Sequence, residues 1–452
     1  MDTSETSGAA PLKGARRHPL INRNFALLWS GQTISMLGDF IFNTTLVVWV
    51  AVVLTRGQPW TPLAVSGIFL ASSLPTILLG PVAGVFVDRW NKRLALAWAS
   101  FLPAICIALL LVQVSITSGR QLGLLWQLGI IYLVVFLVNS CAQVSRPAWL
   151  ALTGKIISQG EQAQAMGLDQ ASASLAMLIG PALAPPLLLA FGSQWALLID
   201  LLSFLLSALT ILLIRTPQDE RGQTRPERAP FLAEFRAGAD FLFKSPLLRT
   251  MLVLSIIAWL GGGALAALDI FFVTQNLHTP PALYGVLDTA LGVGTILGAL
   301  LAGALGERLG LTRVLWGSVL ALGAGILIYA RLTSFVPALV LIFFVGIPFA
   351  MLSVVSGPLL LRATPQALLG RVSALFNPFS TLATFIGAAA AGAIASALTG
   401  HFHRIFLGLA FGPVDTIFLG AGLLLLIGGL YAMLNLRHTD ATASTSMPSE
   451  EH

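Results

Sequence analysis

The sequence predicts an all-α membrane protein with twelve transmembrane helices in two pseudo-symmetric six-helix bundles. Three observations carry that prediction. Of 452 residues, 56% are hydrophobic and only 10% are charged, against roughly 25% charged in a soluble domain. Mean hydropathy is +0.86. Uninterrupted apolar runs recur along the chain, and the basic residues between them alternate in density from one connection to the next. So much apolar surface excludes a soluble enzyme, a disordered chain and a fibre.

A bilayer core of roughly 30 Å needs about 20 apolar residues per helix. Runs of that length lie at 24–54, 63–87, 94–115, 124–145, 166–191, 195–215, 248–275, 282–305, 314–331, 335–360, 372–398 and 414–436. Pro75, Pro103, Pro181, Pro348 and Pro378 fall inside them, which membrane helices tolerate. Placing the N-terminus in the cytoplasm puts all but four of the 25 basic residues (Arg56, Arg120, Arg331 and Arg404) on the cytoplasmic side. This is the positive-inside pattern. It accounts for the net charge of +6 without a nucleic-acid partner, and it places both termini in the cytoplasm of a multi-pass cell-membrane protein. The polar N-terminal tail followed by a full-length apolar run does not read as a cleaved signal peptide.

The organisation follows. Residues 1–23 form a cytoplasmic tail, 24–215 the first bundle, 216–247 a cytoplasmic linker, 248–436 the second bundle and 437–452 a second tail. Residues 1–20 and 438–452 are expected to be disordered. Phe231, Leu232, Phe235, Leu242 and Phe243, interleaved with Glu234, Arg236 and Asp240, suit a helix lying in the membrane interface or an ordinary amphipathic linker. Cys106 and Cys141 read as buried small residues. His401 and His403 read as part of a solvated loop, and no ligand set for a metal is present.

The two halves repeat. Gly84, Asp88 and Arg89 recur as Gly303, Glu307 and Arg308, each 219 residues on. A second register relates Gln170 to Asn377 and Gly180 to Gly387, offset by 207. Parallel six-span repeats are a recurring transporter architecture with a midplane site between the halves.

Gly84-x-x-x-Asp88-Arg89-x-x-Lys92-Arg93 resembles the loop signature of the major facilitator superfamily, with Asn91 where that signature has Gly. Asn24-Phe25-Ala26-Leu27-Leu28-Trp29 through Gly38-Asp39, the stretch from Pro75 to Arg93, and Gly180-Pro181 are similar to the drug:proton antiporter branch that includes macrolide efflux proteins and the enterobactin exporter. The Gly-rich tail of the span-five antiporter motif is replaced by Ala184-Pro185-Pro186. The resemblance implies the major facilitator fold and a cytoplasmic gate at Gly84, Asp88, Arg89, Lys92 and Arg93, with Asp88 meeting the N-terminal end of span eleven near Arg371 and Ser373. Arg146, Glu307 and Arg308 extend that gate reading. The plainer alternative is a set of topological anchors.

A charge within a span is a functional candidate by default. Gln32, Ser35, Asp39 and Asn43 share one helical face, flanked by Met36 and Phe42. Asp39 is the candidate protonation site, or the partner of a cationic substrate, or a hydrogen-bonded packing residue. Asn139, Gln143 and Asn377 are further cavity candidates. Asp200, Asp269 and Asp288 read as outer-side acids, serving as gate, proton exit or hydrated rim. No Lys or Arg lies at mid-membrane, which disfavours anionic substrates, and no nucleotide-binding loop is present. The expectation is no enzyme and no cofactor. It is a monomeric secondary transporter driven by protons that exports hydrophobic or cationic small molecules. A lysophospholipid flippase and a siderophore or metabolite exporter are the alternatives.

Overall fold

The computed structural model describes residues 21–117, 123–215, 231–399, 404–406 and 409–444. The N-terminal six-helix bundle comprises α1 (Arg23–Val48), α2 (Thr61–Arg89), α3 (Lys92–Thr117), α4 (Leu124–Ile156), α5 (Gln162–Phe191) and α6 (Ser193–Leu212). After α7 (Phe231–Lys244) come α8 (Pro246–Phe271), α9 (Tyr284–Leu309), α10 (Leu311–Tyr329), α11 (Phe335–Ala363), α12 (Gln366–Leu398) and α13 (Pro413–Ser444). Twelve of these helices are long and apolar enough to cross a membrane. In hydrocarbon an unpaired backbone amide costs several kcal/mol, so a chain of this composition must close its hydrogen bonds within each segment.

Helix ends are set locally. Asn22 caps α1 through Phe25 N at 2.8 Å, and its amide ties that end to Ile156 O of α4 at 2.7 Å. Gly192 (φ +90°) breaks α5 from α6, and Gly310 (φ +86°) breaks α9 from α10. Asn91 stands at the position equivalent to Gly310. It makes its turn differently, its Oδ1 accepting from Arg93 N at 3.1 Å and Leu94 N at 3.2 Å to cap α3. The departure from the loop signature is thus a change of capping chemistry.

Two spans end in a π-helical turn, α1 at Trp49–Leu54 and α8 at Phe272–Asn276, so the pseudo-symmetry reaches local backbone form. The registers read from the sequence also appear in packing. Gly180 of α5 lies against Phe40 of α1, and Gly387 of α12 lies against Leu260 of α8. Each glycine lets its helix approach the first helix of its own bundle at a distance that a Cβ would block. The bundles meet along α2 with α12 and α5 with α9. Leu63 N donates to Ser396 Oγ at 3.0 Å, and Thr289 Oγ1 donates to Leu178 O at 2.8 Å. These bonds lie toward the face opposite the N-terminus of α1, called distal below. The face where α1 begins is called proximal.

The structure departs from the sequence reading in several places. α4 continues to Ile156 rather than stopping near 145, which puts Arg146 and Pro147 inside a helix. α13 runs to Ser444 rather than ending at 436, with no Gly or Pro between Leu430 and Ser444 to stop it. The stretch after α12 read as a loop contains a hairpin, β1 (Arg404–Phe406) with β2 (Leu409–Phe411). His401 and His403, residues 1–20 and residues 445–452 lie outside the described residues. α7 packs on α12 and α8, with Leu242 buried and Phe243 exposed. Cys106 and Cys141 are free and half-buried. Beside the hairpin, Asp415 accepts from Gly412 N at 2.7 Å and from Arg331 Nη1 at 3.0 Å, while Arg331 stacks over Phe411. This joins the end of α10 to the start of α13.

Overpacking a tight contact costs about 1–3 kcal/mol. Gly180→Val and Gly387→Val therefore each lower the melting temperature of the detergent-solubilised protein. Gly303→Ala does not, because space is open there. Scanning fluorimetry on the three variants checks this.

Candidate functional site

The polar stripe on α1 faces a cavity of about 280 Å³. Gln32, Ser35, Met36, Asp39 and Asn43 line it together with Asn139 and Arg146 of α4 and Asp169 of α5. The 3.6-residue period of α1 aligns the stripe, and Gly38 on the adjoining face packs against α6. Asn43 Nδ2 donates to Asp39 O at 2.7 Å, and Asn139 Nδ2 donates to Val135 O at 2.9 Å.

At the proximal side of this cavity, Arg146 Nη1 pairs with Asp169 Oδ2 at 3.1 Å and stacks on Trp149. Asp169 is buried, while the Arg146 side chain is 61% exposed. The arginine therefore keeps contact with solvent on the cavity side, and its pairing tethers α4 to α5. Asp169 was not among the sequence candidates. An acid at the depth of an intramembrane arginine is the signal that finds it, because such charges pair.

Asp200 lies in the distal half of α6. It is fully buried on α6 against Gly38, behind Asp39. Its Oδ1 would lie 2.6 Å from a Cβ at position 38, and Ser203 Oγ donates back to its carbonyl at 2.7 Å. Its Oδ2 has no hydrogen-bond partner among the described residues. The sequence alone could not pair it with α1, since that adjacency is tertiary.

Asp269 and Asp288 lie toward the distal ends of α8 and α9. They line a second cavity, of about 410 Å³, formed mostly by the C-terminal bundle. Tyr329 Oη donates to Asp269 Oδ1 at 3.0 Å, and Tyr284 faces Asp288. Neither tyrosine was among the sequence candidates. Asn43 lines both cavities, so the two open onto the same residue of α1.

The remaining candidates scatter. Gln143 Nε2 donates to Thr76 Oγ1 at 3.0 Å, which ties α4 to α2. Phe42 is buried in the main apolar core. Asn377 is exposed on α12 and lines neither cavity. Arg93 Nε donates to Ile211 O at 3.3 Å and Nη2 to Leu212 O, so it caps the last carbonyls of α6. Lys92 begins α3. Glu307 and Arg308 are exposed at the end of α9. The surroundings of Gly84 and the side chains of Asp88 and Arg89 lie outside those described. Gly180 sits on α1, as above, and the carbonyl of Pro181 lies against Gly285 of α9. The antiporter-like motif is therefore a junction between α1, α5 and the second bundle.

Twelve spans in two matched bundles, with one cavity bordered by both, are the architecture of a major facilitator transporter. The chain belongs to the transmembrane secretion effector family, whose model matches residues 15–451. It is 26% identical over 417 residues to the MFS-type transporter YfiS of Bacillus subtilis (strain 168), covering 89% of this chain and 92% of that one. It is 22% identical to macrolide efflux protein A of Streptococcus pyogenes, covering 80% and 87% of the two chains. It is 26% identical to the enterobactin exporter EntS of Shigella flexneri, covering 70% and 73%. The fold superposes on a bacterial homologue of the iron transporter ferroportin in an inward-facing state. The TM-score is 0.70 at 16% identity, over 91% of this chain and 98% of that one.

Gly38→Ala should push Asp200 and Ser203 off α1 and destabilise the protein by about 1–3 kcal/mol. Combining it with Asp200→Ala should recover part of that loss, with a coupling of at least about 0.5 kcal/mol in a double-mutant cycle of denaturation midpoints. Strict additivity would mean that the two residues are not in contact.

Proposed function

We propose that this transporter is a proton-driven exporter of hydrophobic or cationic small molecules. The observation that carries the reading is Asp39, an acid midway along α1 on the wall of a membrane-enclosed cavity. A buried charge of this kind is retained where it works. Two relatives named as exporters, the macrolide efflux protein and the enterobactin exporter, support the direction of transport.

In this reading the proximal face, which carries most of the basic residues, is cytoplasmic. Residues 24–215 rock against residues 248–436 about the contacts of α2 with α12 and α5 with α9. Proton uptake at Asp39 and cargo binding stabilise opposite conformations, and each shifts the equilibrium only by its difference in affinity for the two. The ion pair of Arg146 with Asp169 and the basic loop between α2 and α3 gate the cytoplasmic side. The energy source is the proton gradient, with no cofactor, and the working unit is a monomer in the cell membrane. Export of a siderophore or similar metabolite is the second reading, favoured by the similarity to the enterobactin exporter. The solvent-facing Arg146 at the cavity is what a lysophospholipid headgroup would need in a third.

In proteoliposomes with an imposed pH gradient, Asp39→Asn should abolish gradient-driven transport while leaving the protein monodisperse. Normal gradient-driven transport by that variant would remove Asp39 from the coupling site. A thermal-shift screen of the purified protein against lipophilic cations, siderophores and lysophospholipids separates the three cargo readings by which class stabilises it.

A further inference from the structure

The two cavities differ in chemistry. The smaller one holds Asp39 and Asp169 but also Arg146, and hydroxyl and amide groups line much of its wall. The larger one is walled by apolar and aromatic side chains, including Phe69 of α2, Trp259 of α8 and Phe349 of α11. Trp259 and Phe349 meet edge to face at 6.0 Å between ring centroids. Against this apolar wall stand two carboxylates, Asp269 and Asp288, and among the described residues no Lys, Arg or His lines the cavity.

Each acid has one tyrosine hydroxyl beside it, Tyr329 at Asp269 and Tyr284 at Asp288. A hydroxyl donor orients a carboxylate but does not supply a countercharge. A cavity of about 410 Å³ falls within the roughly 300–1,000 Å³ range of small-molecule sites. Its apolar wall would accept the body of an amphipathic molecule, and its aromatic faces attract a cation rather than an anion. The positive charge that this cavity lacks is therefore brought by the ligand. In the smaller cavity Arg146 is already paired with Asp169, and the remaining acid, Asp39, is the one assigned to the proton.

We propose that the larger cavity is the cargo site and that it takes a hydrophobic organic cation, its charge held by Asp269 and Asp288 and its apolar body by Trp259, Phe349 and Phe69. The proposal deepens the export reading and rests on it for the direction of transport. It divides the labour between the bundles. The N-terminal bundle takes the proton at Asp39, and the C-terminal bundle takes the cargo.

The test is equilibrium binding to the purified full-length protein in lipid nanodiscs, with no gradient applied. The two probes, tetraphenylphosphonium and tetraphenylborate, have nearly the same shape and opposite charge. The phosphonium should bind at least about tenfold more tightly than the borate. The double substitution Asp269→Asn with Asp288→Asn, which keeps an acceptor for Tyr329, should weaken phosphonium binding by about tenfold or more. Trp259→Leu should weaken it by a smaller factor. Equal binding of the two probes, binding of neither, or undiminished phosphonium affinity in a monodisperse double variant each overturns the proposal. If the double variant is not monodisperse, Asp288→Asn alone decides by the same loss of affinity. Because no gradient is used, the result is independent of proton coupling. A protein that transports normally with Asp39→Asn yet binds the phosphonium through Asp269 and Asp288 loses the coupling reading and keeps this one.

Discussion

The absence of water across the bilayer core is the constraint from which the rest of this structure follows. Without solvent partners, backbone amides must pair within each segment, and only helices or a closed barrel do so. The same absence makes each intramembrane charge expensive, so the few acids within the spans line cavities or sit against other helices. Asp39, Asp269 and Asp288 line cavities, while Asp200 is sealed against Gly38. Association of helices cannot rely on the hydrophobic effect in lipid. It rests on close contact at small residues, as at Gly180 with Phe40 and Gly387 with Leu260.

Much of this was legible in the chain because it is local. Apolar run length sets the spans, and the helical period alone puts Gln32, Ser35, Asp39 and Asn43 on one face. The offset of Gly180 from Gly387 is visible in sequence because each copy answers the same packing need in its own bundle. What was hidden depends on neighbours from elsewhere in the chain. The pairing of Asp200 with α1 needs the packing of α6, and Tyr329 reaches Asp269 across 60 residues. Arg146 read as a gate or anchor residue at a helix end because the apolar run fades near it. The helix continues through Arg146 and carries it to Asp169. Asn377 read as a cavity residue on its polarity and its place beside Pro378, but neither property fixes which way α12 faces.

The repeat is symmetric in backbone and asymmetric in chemistry. Both bundles begin with a helix that ends in a π turn, and both seat a glycine of their fifth helix on that first helix. The side chains lining the two cavities nevertheless share little. One cavity mixes both signs of charge with amides, and the other sets two acids in an apolar wall. A duplicated scaffold has thus kept its joints and changed the lining of its two chambers.

One residue belongs to both chambers. Asn43 borders each cavity, and its amide nitrogen is engaged by the peptide carbonyl of Asp39. To turn that nitrogen toward a molecule in the larger chamber, the side chain must change rotamer and release Asp39 O. That carbonyl keeps its helical bond from Asn43 N, so the side chain is released at little cost. The wall shared by the two chambers can therefore change the polar face it shows to either through a single torsion, with no movement of a helix.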